Sequence, residues 1–280
     1  MKTKIIWISS YPKSGNTWMR YLISNYFFNK TEVFDERIIN NIRSFPKDTF
    51  FYPFIEKEEI ISNIYATPPY WIKAQENIKT STGNMFLKTH NSMCKLNNYS
   101  FTNEDLTSAV IHIIRDPRDI AVSYSNFTGE TLDRNIKFMT SKNLVHRIDR
   151  HRSNYVPEFT GSWKFNYNSW KKSLPNTPKI IIRYEDLLNN TYREFEKVIN
   201  FLSIILNFRP DPNQIKLSIN LSNFKTLQNY EKNKGFFESS KHGIFFKKGK
   251  AGQWKNKLND RQITLLEKTF YEEMKELKYL

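Results

Sequence analysis

The segment YPKSGNTW at 11–18 places a lysine, two hydroxyl residues and a glycine between a buried apolar run and a helical pattern. At such a strand-to-helix turn, backbone N–H groups and the positive end of the helix dipole face an anion together. Lys13 adds a charge, Gly15 permits close backbone approach, and the hydroxyls of Ser14 and Thr17 can donate hydrogen bonds. We predict a phosphate cradle, with an ordinary turn as the alternative. It is not a Walker A loop, because the lysine precedes the glycine.

A second pair of residues capable of chemistry ends the apolar run NMFLKTH at 84–90. Lys88 and His90 stand two positions apart at the end of a predicted strand, so their side chains share one side of the pleat. Parallel sheets bind ligands at the carboxyl ends of their strands, where both residues lie. We interpret them as a cation and a proton acceptor, with a structural histidine as the alternative. His112, in mid-strand, takes the structural interpretation.

A third segment, IIRDPRDIAVSY at 113–124, passes from a strand directly into a helix. Arg115 at the strand end and Ser123 in the helix can bracket a second phosphate, by a forked pair of hydrogen bonds and a hydroxyl. The alternative is a structural network of Arg115 with Asp116, Arg118 and Asp119.

A fourth segment, FFKKGKAGQWKN at 245–256, concentrates positive charge in a loop that contains two glycines. Lysines lie on both sides of Gly249, and a tryptophan follows at Trp254. Such a loop is typical of a mobile clamp for an anion. The alternative is a solvated run of charge.

Apolar runs and helical patterns alternate along the chain, which is typical of an α/β protein. We predict a single domain over residues 1–280, with a central parallel sheet flanked by helices. The predicted strands are 4–10, 84–90, 109–116 and 179–187; the predicted helices are 17–28, 117–128, 132–148, 162–173, 190–205 and 260–279.

Composition limits the partners and the compartment. The net charge of +15 favours an anionic partner without choosing among anions. Cys94 is the single cysteine, so an intramolecular disulfide is excluded and a reducing compartment is indicated. The apolar run near the N-terminus is too short for a signal peptide or a membrane span. We therefore predict a cytoplasmic protein without a membrane anchor.

Taken in order, the four segments resemble the family of sulfotransferases that use 3'-phosphoadenosine-5'-phosphosulfate (PAPS). The resemblance runs from about residue 5 to 257, and YPKSG-T-W is its most specific motif. It implies a P-loop-NTPase-like sulfotransferase fold. It also implies transfer of a sulfuryl group from PAPS to a hydroxyl or amine of a small-molecule, lipid or sugar acceptor, with release of 3',5'-ADP and no metal.

The resemblance also implies roles for individual residues. His90 would be the general base, and Lys13 and Lys88 would stabilise charge on the leaving phosphate. The 5'-phosphosulfate would be held by Lys13, Ser14, Gly15, Asn16 and Thr17, with Trp18 near the adenine. The 3'-phosphate would be held by Arg115, Ser123, Lys247, Lys248 and Gly249. Further adenine contacts would come from Tyr184, Ser222 and Phe224.

Some positions depart from the commonest family pattern. Asn16 replaces a frequent threonine, and Lys247 replaces the usual arginine, which removes bidentate phosphate recognition there. The fourth segment, 245–256, corresponds to the loop that closes the family motif and is called the closing loop below. In it Gln253 replaces a frequent aspartate, and no KTVE-like segment precedes it, so the oligomeric state stays open. The segments SGNTW and RDPRD are more similar to bacterial members.

Two other functions compete with this interpretation. A nucleoside-phosphate kinase on a related fold is disfavoured by the missing Walker A motif and by the placement of His90. Binding of ADP-ribose or nucleic acid without catalysis is the third hypothesis, which basic loops with aromatic residues could support.

The acceptor is not identified by any motif. We predict that 44–72 and 229–257 are irregular, and that 44–72 and 229–246 roof the acceptor site. Their aromatic side chains would line a cleft, which we favour, or pack as a small core. These side chains are Phe50, Phe51, Tyr52, Phe54, Tyr70, Trp71, Phe236 and Phe237.

Overall fold

A computed structural model describes residues 3–141, 145–146, 156–240, 242, 244–247 and 249–280. The strands in chain order are β1 Lys4–Ser10, β2 Arg43–Ser44, β3 Asn84–Thr89, β4 Lys95–Leu96, β5 Tyr99–Ser100, β6 Thr107–Ile114, β7 Val145–His146, β8 Glu158–Phe159 and β9 Lys179–Arg183. Five of them form one sheet in the order β2-β3-β1-β6-β9. β3 pairs in parallel with both β1 and β2. The predicted central parallel sheet flanked by helices is confirmed.

Burial explains why the apolar runs form these strands. In β1 every residue after Lys4 is buried, and β6 is buried except at Ser108. Strands covered on both faces need near-continuous apolar sequence, whereas strands with one wet face alternate. The runs KIIWISS and TSAVIHII therefore suit the interior of a parallel sheet.

The six predicted helices begin within one residue of their predicted start points, and the described residues contain six further helices that begin where none was predicted to start. The helices are α1 Asn16–Phe28, α2 Lys57–Ser62, α3 Trp71–Glu76, α4 Pro117–Thr128, α5 Leu132–Thr140, α6 Trp163–Lys172, α7 Tyr184–Asn189, α8 Thr191–Leu206, α9 Pro212–Leu221, α10 Phe224–Lys234, α11 Asp260–Thr269 and α12 Tyr271–Glu276. The start of α4 shows the cause, because the Asp116 side chain accepts a hydrogen bond from the Arg118 N–H and proline occupies the first turn.

Several predicted boundaries were wrong. The helix predicted over 132–148 ends at Thr140, and 142–144 and 147–148 lie outside the described residues. The strand predicted to continue to 187 ends at Arg183, because α7 begins at Tyr184. The C-terminal helix is two helices, since the backbone at Phe270 leaves helical geometry. The segments predicted as irregular contain α2, the first two residues of α3, the second half of α10 and short 3-10 helices.

The chain divides into two compact units. The first comprises described residues within 1–11, 42–112 and 142–181, and the second those within 12–41, 113–141 and 182–280. The prediction of a single domain over 1–280 stays a prediction.

The core of the first unit is built around Trp7, which is fully buried and lies against the rings of Phe45, Phe101 and Trp170. The predicted cleft aromatics of 44–72 largely join this core. Phe50, Phe51 and Trp71 are buried in it, and Phe54 and Tyr70 pack against it, whereas Tyr52 is exposed. For the five packed residues the cleft prediction was wrong and the packing alternative is correct, because burial of large rings stabilises the fold.

A separate aromatic cluster lies in the second unit. Phe236 is buried there with Tyr21 and Phe246, while Phe237 is half exposed. Packing thus also accounts for Phe236.

Candidate active site

The loop that leads into α1 has a backbone shape few residues adopt. Lys13 has φ 69° and Gly15 has φ 98°, both in the left-handed region. A Cβ atom at Gly15 would lie 2.6 Å from Cδ2 of Tyr184, so only glycine fits between the loop and that ring. The loop therefore turns sharply into α1, whose first N–H groups have no helical acceptors.

The hydroxyl of Ser14 lacks a hydrogen-bond partner among the described residues, although it is fully buried. A buried polar group without a partner is costly unless something else binds it. Asn16 and Thr17, in the first turn of α1, are buried beside it. This donor set, at a helix N-terminus, suits an anion.

Lys13 is held between two aromatic rings. Its Nζ atom lies 4.0 Å from the ring centres of both Phe127 and Phe245. Burial lowers the pKa of Lys13 to about 7, and the carboxylate of Glu238 opposes that shift. At neutral pH the ammonium therefore gains strongly from any anion placed next to it.

Arg115 connects two of the predicted motifs. Its guanidinium donates to the carbonyl of Lys13 at 3.1 Å and to the carbonyl of Lys250 at 3.3 Å. The same group lies over the ring of Tyr184 at 4.4 Å. The cradle loop, the end of β6 and the closing loop are thus joined at one residue.

The predicted structural network of arginine and aspartate also exists, but it is centred on Arg118 rather than on Arg115. Arg118 forms an ion pair with Asp116 at 2.7 Å and lies 3.9 Å over the ring of Trp254. Asp119 accepts hydrogen bonds from the backbone of Gly252 at 2.7 Å and of Trp254 at 3.1 Å. These acidic residues hold the closing loop in place.

The predicted adenine contacts lie together. Trp18 donates to the carbonyl of Ser222 at 3.0 Å, and its ring centre lies 6.0 Å from that of Tyr184. A Cβ atom at Gly249 would lie 2.6 Å from the ring of Phe224, so that loop also passes directly against an aromatic side chain. Trp18, Tyr184 and Phe224 thus supply aromatic rings of the kind that stack on a purine.

Of the remaining residues predicted to hold the 3'-phosphate, the structure describes Lys247 and Ser123 but not Lys248. Lys247 donates to the Asn126 side chain at 3.3 Å. Ser123, half-buried, lies three residues earlier on α4 and hence on the same helix face. Lys248 lies outside the described residues.

His90 lies in the first unit, where a backbone carbonyl defines the state of its ring. Its Nδ1 atom is 2.9 Å from the carbonyl oxygen of Ser10 and 3.2 Å from the hydroxyl of the same residue. Because a carbonyl only accepts, Nδ1 carries the hydrogen in that contact, and the neutral ring has its lone pair on Nε2. A ring in this tautomer can accept a proton at Nε2.

Lys88 also lies in the first unit, next to an acid that sequence reasoning missed. Its Nζ atom is 3.5 Å from Oε1 of the buried Glu158. That oxygen also accepts the backbone N–H of His90 at 2.9 Å. No motif surrounds Glu158 in the sequence, so nothing there indicated it.

Sequence reasoning also missed a carboxylate at the cradle. Glu238 accepts hydrogen bonds from the Thr17 hydroxyl at 2.8 Å and from Arg20 at 2.5 Å. The guanidinium side chain of Arg20 is buried, with 4% of it exposed. Its spacing of three from Thr17 places both on one face of α1, which was the available signal.

His112 takes the structural interpretation. It is buried, its Nδ1 lies 2.9 Å from the Ser9 hydroxyl, and burial lowers its pKa to about 3. A ring that stays neutral throughout the physiological range is typical of a core histidine.

Comparison with solved structures identifies the class of fold. A crystal structure of retinol dehydratase in complex with androsterone and inactive cofactor PAP superposes with a TM-score of 0.63 at 18% identity, over 98% of this chain and 82% of that chain. The two proteins share one α/β fold.

Known sequences are also similar over nearly the full chain. Flavonol 3-sulfotransferase of Flaveria bidentis is 25% identical, over 96% of this chain and 81% of its own. Cytosolic sulfotransferase 1 of Danio rerio is 24% identical, over 96% and 82%. The sulfotransferase domain model matches residues 3–278. The chain belongs to the sulfotransferase domain family, so the enzyme class predicted from the sequence is confirmed.

Proposed function

We propose that this protein transfers a sulfuryl group from PAPS to a hydroxyl or amine of a small molecule and releases 3',5'-ADP. The observation that carries the proposal is the pair of hydrogen bonds from Arg115 to the carbonyls of Lys13 and Lys250. Through these bonds the cradle and the closing loop both contact the Arg115 guanidinium, and all three lie in the second unit. Kinase activity and binding without catalysis are not favoured, since the sulfotransferase domain model matches residues 3–278.

The residues present fit PAPS. The buried hydroxyl of Ser14 has no hydrogen-bond partner among the described residues, so it can donate to a phosphate oxygen. The loop has no room for a side chain at Gly15. We assign the 5'-phosphosulfate to the 13–17 loop and the 3'-phosphate to Arg115, Ser123 and the 247–249 loop. The adenine is assigned to Trp18, Tyr184, Ser222 and Phe224. When bound, PAPS supplies the sulfuryl group and the phosphate that departs.

This chain's own residues would move the proton and stabilise the charge. His90 accepts the proton of the acceptor at Nε2, while the Ser10 carbonyl holds its Nδ1–H. The ammonium groups of Lys13 and Lys88 stabilise negative charge that develops on oxygen. Each role matches the donor or acceptor capacity of its side chain.

The acceptor is proposed by class. One relative is named for a flavonol, and retinol dehydratase was solved with androsterone. We propose a small molecule with a hydroxyl group, with lipid and sugar acceptors as further candidates, and no nucleic-acid partner. We also propose a single domain in the cytoplasm, and the likeness to bacterial members stays a prediction. Among the described residues, no helix has the length and apolarity to cross a membrane.

The function is tested with labelled PAPS and a panel of phenols, sterols, sugars and amines. We expect label on at least one acceptor, and stronger thermal stabilisation by 3',5'-ADP than by ATP or single-stranded DNA. Equal stabilisation by ATP, together with no labelled acceptor, would contradict the proposal.

The carboxylate of Glu238 competes with a phosphate for the Thr17 hydroxyl and for Arg20. Glu238→Gln is therefore expected to tighten binding of 3',5'-ADP by about threefold to tenfold, because a neutral amide competes less well for these donors. Isothermal titration calorimetry measures the change. Glu272→Gln, at an exposed site on α12, is the control for loss of one negative charge. Unchanged or weaker binding in Glu238→Gln would mean that this carboxylate does not overlap the nucleotide.

A further inference from the structure

Glu158 is a buried carboxylate, with 3% of the residue exposed, at the start of β8. One of its oxygens, Oε1, contacts two residues that carry proposed catalytic roles. It accepts the backbone N–H of His90 at 2.9 Å and lies 3.5 Å from the ammonium of Lys88. A single side chain thus touches both the proposed base and a proposed cation.

The surrounding backbone fixes this carboxylate relative to His90. The Phe159 N–H donates to the Asn91 side chain at 2.6 Å, and the Ser92 N–H donates to the Phe159 carbonyl at 2.9 Å. Asn166 donates to the carbonyl of His90 at 3.1 Å. Hydrogen bonds therefore connect the strand that carries Glu158 to residues 90–92, the segment that begins with the proposed base.

Glu158 does more than accept the N–H of His90, because it also forms an ion pair with Lys88. A buried carboxylate is costly without a positive partner, and Lys88 supplies it with only 12% of its own side chain exposed. An ammonium has three donors, and the ion pair engages one of them. Lys88 is thereby held in position with donor capacity left for oxygens of the transferred group.

We propose that Glu158 is a positioning residue for sulfuryl transfer, which holds the Lys88 ammonium in place and fixes the backbone of His90. This inference rests on the catalytic roles proposed above for Lys88 and His90. Glu158 would act on the reaction through these two residues.

The test compares Glu158→Gln in the wild-type background with the same change in a Lys88→Gln background. The amide keeps an oxygen for the His90 N–H and removes the charge that holds Lys88. We expect kcat to fall by about tenfold in the first case, as for a displaced catalytic group, with the Kd of 3',5'-ADP within twofold. In the second case we expect less than about a twofold further change, because the partner is already absent.

Turnover is expressed per 3',5'-ADP binding site, so loss of folded protein does not affect the comparison. Glu194→Gln is the matched control, because Glu194 is also a buried carboxylate paired with a lysine, Lys197, at 2.5 Å. It should leave kcat per site unchanged. An unchanged kcat in Glu158→Gln, or an equal loss in both backgrounds, overturns the inference.

The same series separates this inference from the proposed function. If Lys88→Gln and His90→Ala both keep wild-type turnover, the proposed catalytic roles fail and the inference fails with them. If both lose turnover while Glu158→Gln does not, only the positioning role fails.

Discussion

His90→Ala is expected to lower kcat by about a hundredfold or more while the affinity for 3',5'-ADP stays within a fewfold. The Ser10 carbonyl holds the Nδ1–H of this ring, so in the proposed role Nε2 would accept the proton of the acceptor. Removing it leaves the acceptor hydroxyl without a base, whereas the proposed nucleotide contacts are untouched. Steady-state kinetics with labelled PAPS and calorimetry with 3',5'-ADP measure the two quantities.

The pH profile provides an independent reading of the same role. A general base works only in its neutral form, so turnover of the wild type should fall on acidification. The residual activity of His90→Ala should lose that acidic limb. His242→Ala, at an exposed histidine, is the control and should keep the wild-type profile. Wild-type turnover in His90→Ala would remove this residue from the mechanism.

Lys13→Ala is expected to weaken 3',5'-ADP binding by about tenfold or more and to lower kcat by about a hundredfold. In the proposed role the ammonium would interact with the phosphate in the ground state and with the greater charge that builds up on it in the transition state. Both quantities should therefore fall, in contrast to His90→Ala. Lys232→Ala, at an exposed lysine of α10, controls for the loss of one positive charge.

The lowered pKa of Lys13, about 7, adds a dependence on pH that the variant should lose. Bound phosphate favours the protonated amine, so the pKa rises on binding and binding takes up a proton. Above pH 7 the affinity of the wild type for 3',5'-ADP should fall by up to about tenfold per pH unit. The affinity of Lys13→Ala should be flat over the same range. A wild type whose affinity does not change between pH 7 and 9 would contradict the assignment of Lys13 to the phosphate.

The sequence predicted correctly those features that depend on residues close together in the chain. The runs KIIWISS and AVIHIIRD predicted buried strands of a parallel sheet, because such strands need apolar side chains on both faces. The loop before α1 was predicted as a cradle because lysine, glycine and hydroxyl residues at a strand-to-helix turn suit an anion. The start of α4 at Pro117 was predicted from that proline, and the structure adds the Asp116 cap.

The cleft prediction for the aromatics of 44–72 failed for a physical reason. Periodicity cannot say whether a ring faces a ligand or another ring, and here Phe51 and Trp71 are completely buried in the core around Trp7. Burial of that much apolar surface favours packing over an open cleft.

The sequence by itself determined the central parallel sheet, the family and which charged and hydroxyl residues are candidates to hold PAPS. Only the tertiary structure decided which carboxylates accompany them. Glu238 reaches Thr17 across 221 positions of the chain, and Glu158 reaches His90 across 68. Neither acid lies in a motif, because a contact between distant segments depends on how the chain folds back rather than on local spacing. Pairing of a buried charge with its partner is therefore a property of the folded protein that no local pattern records.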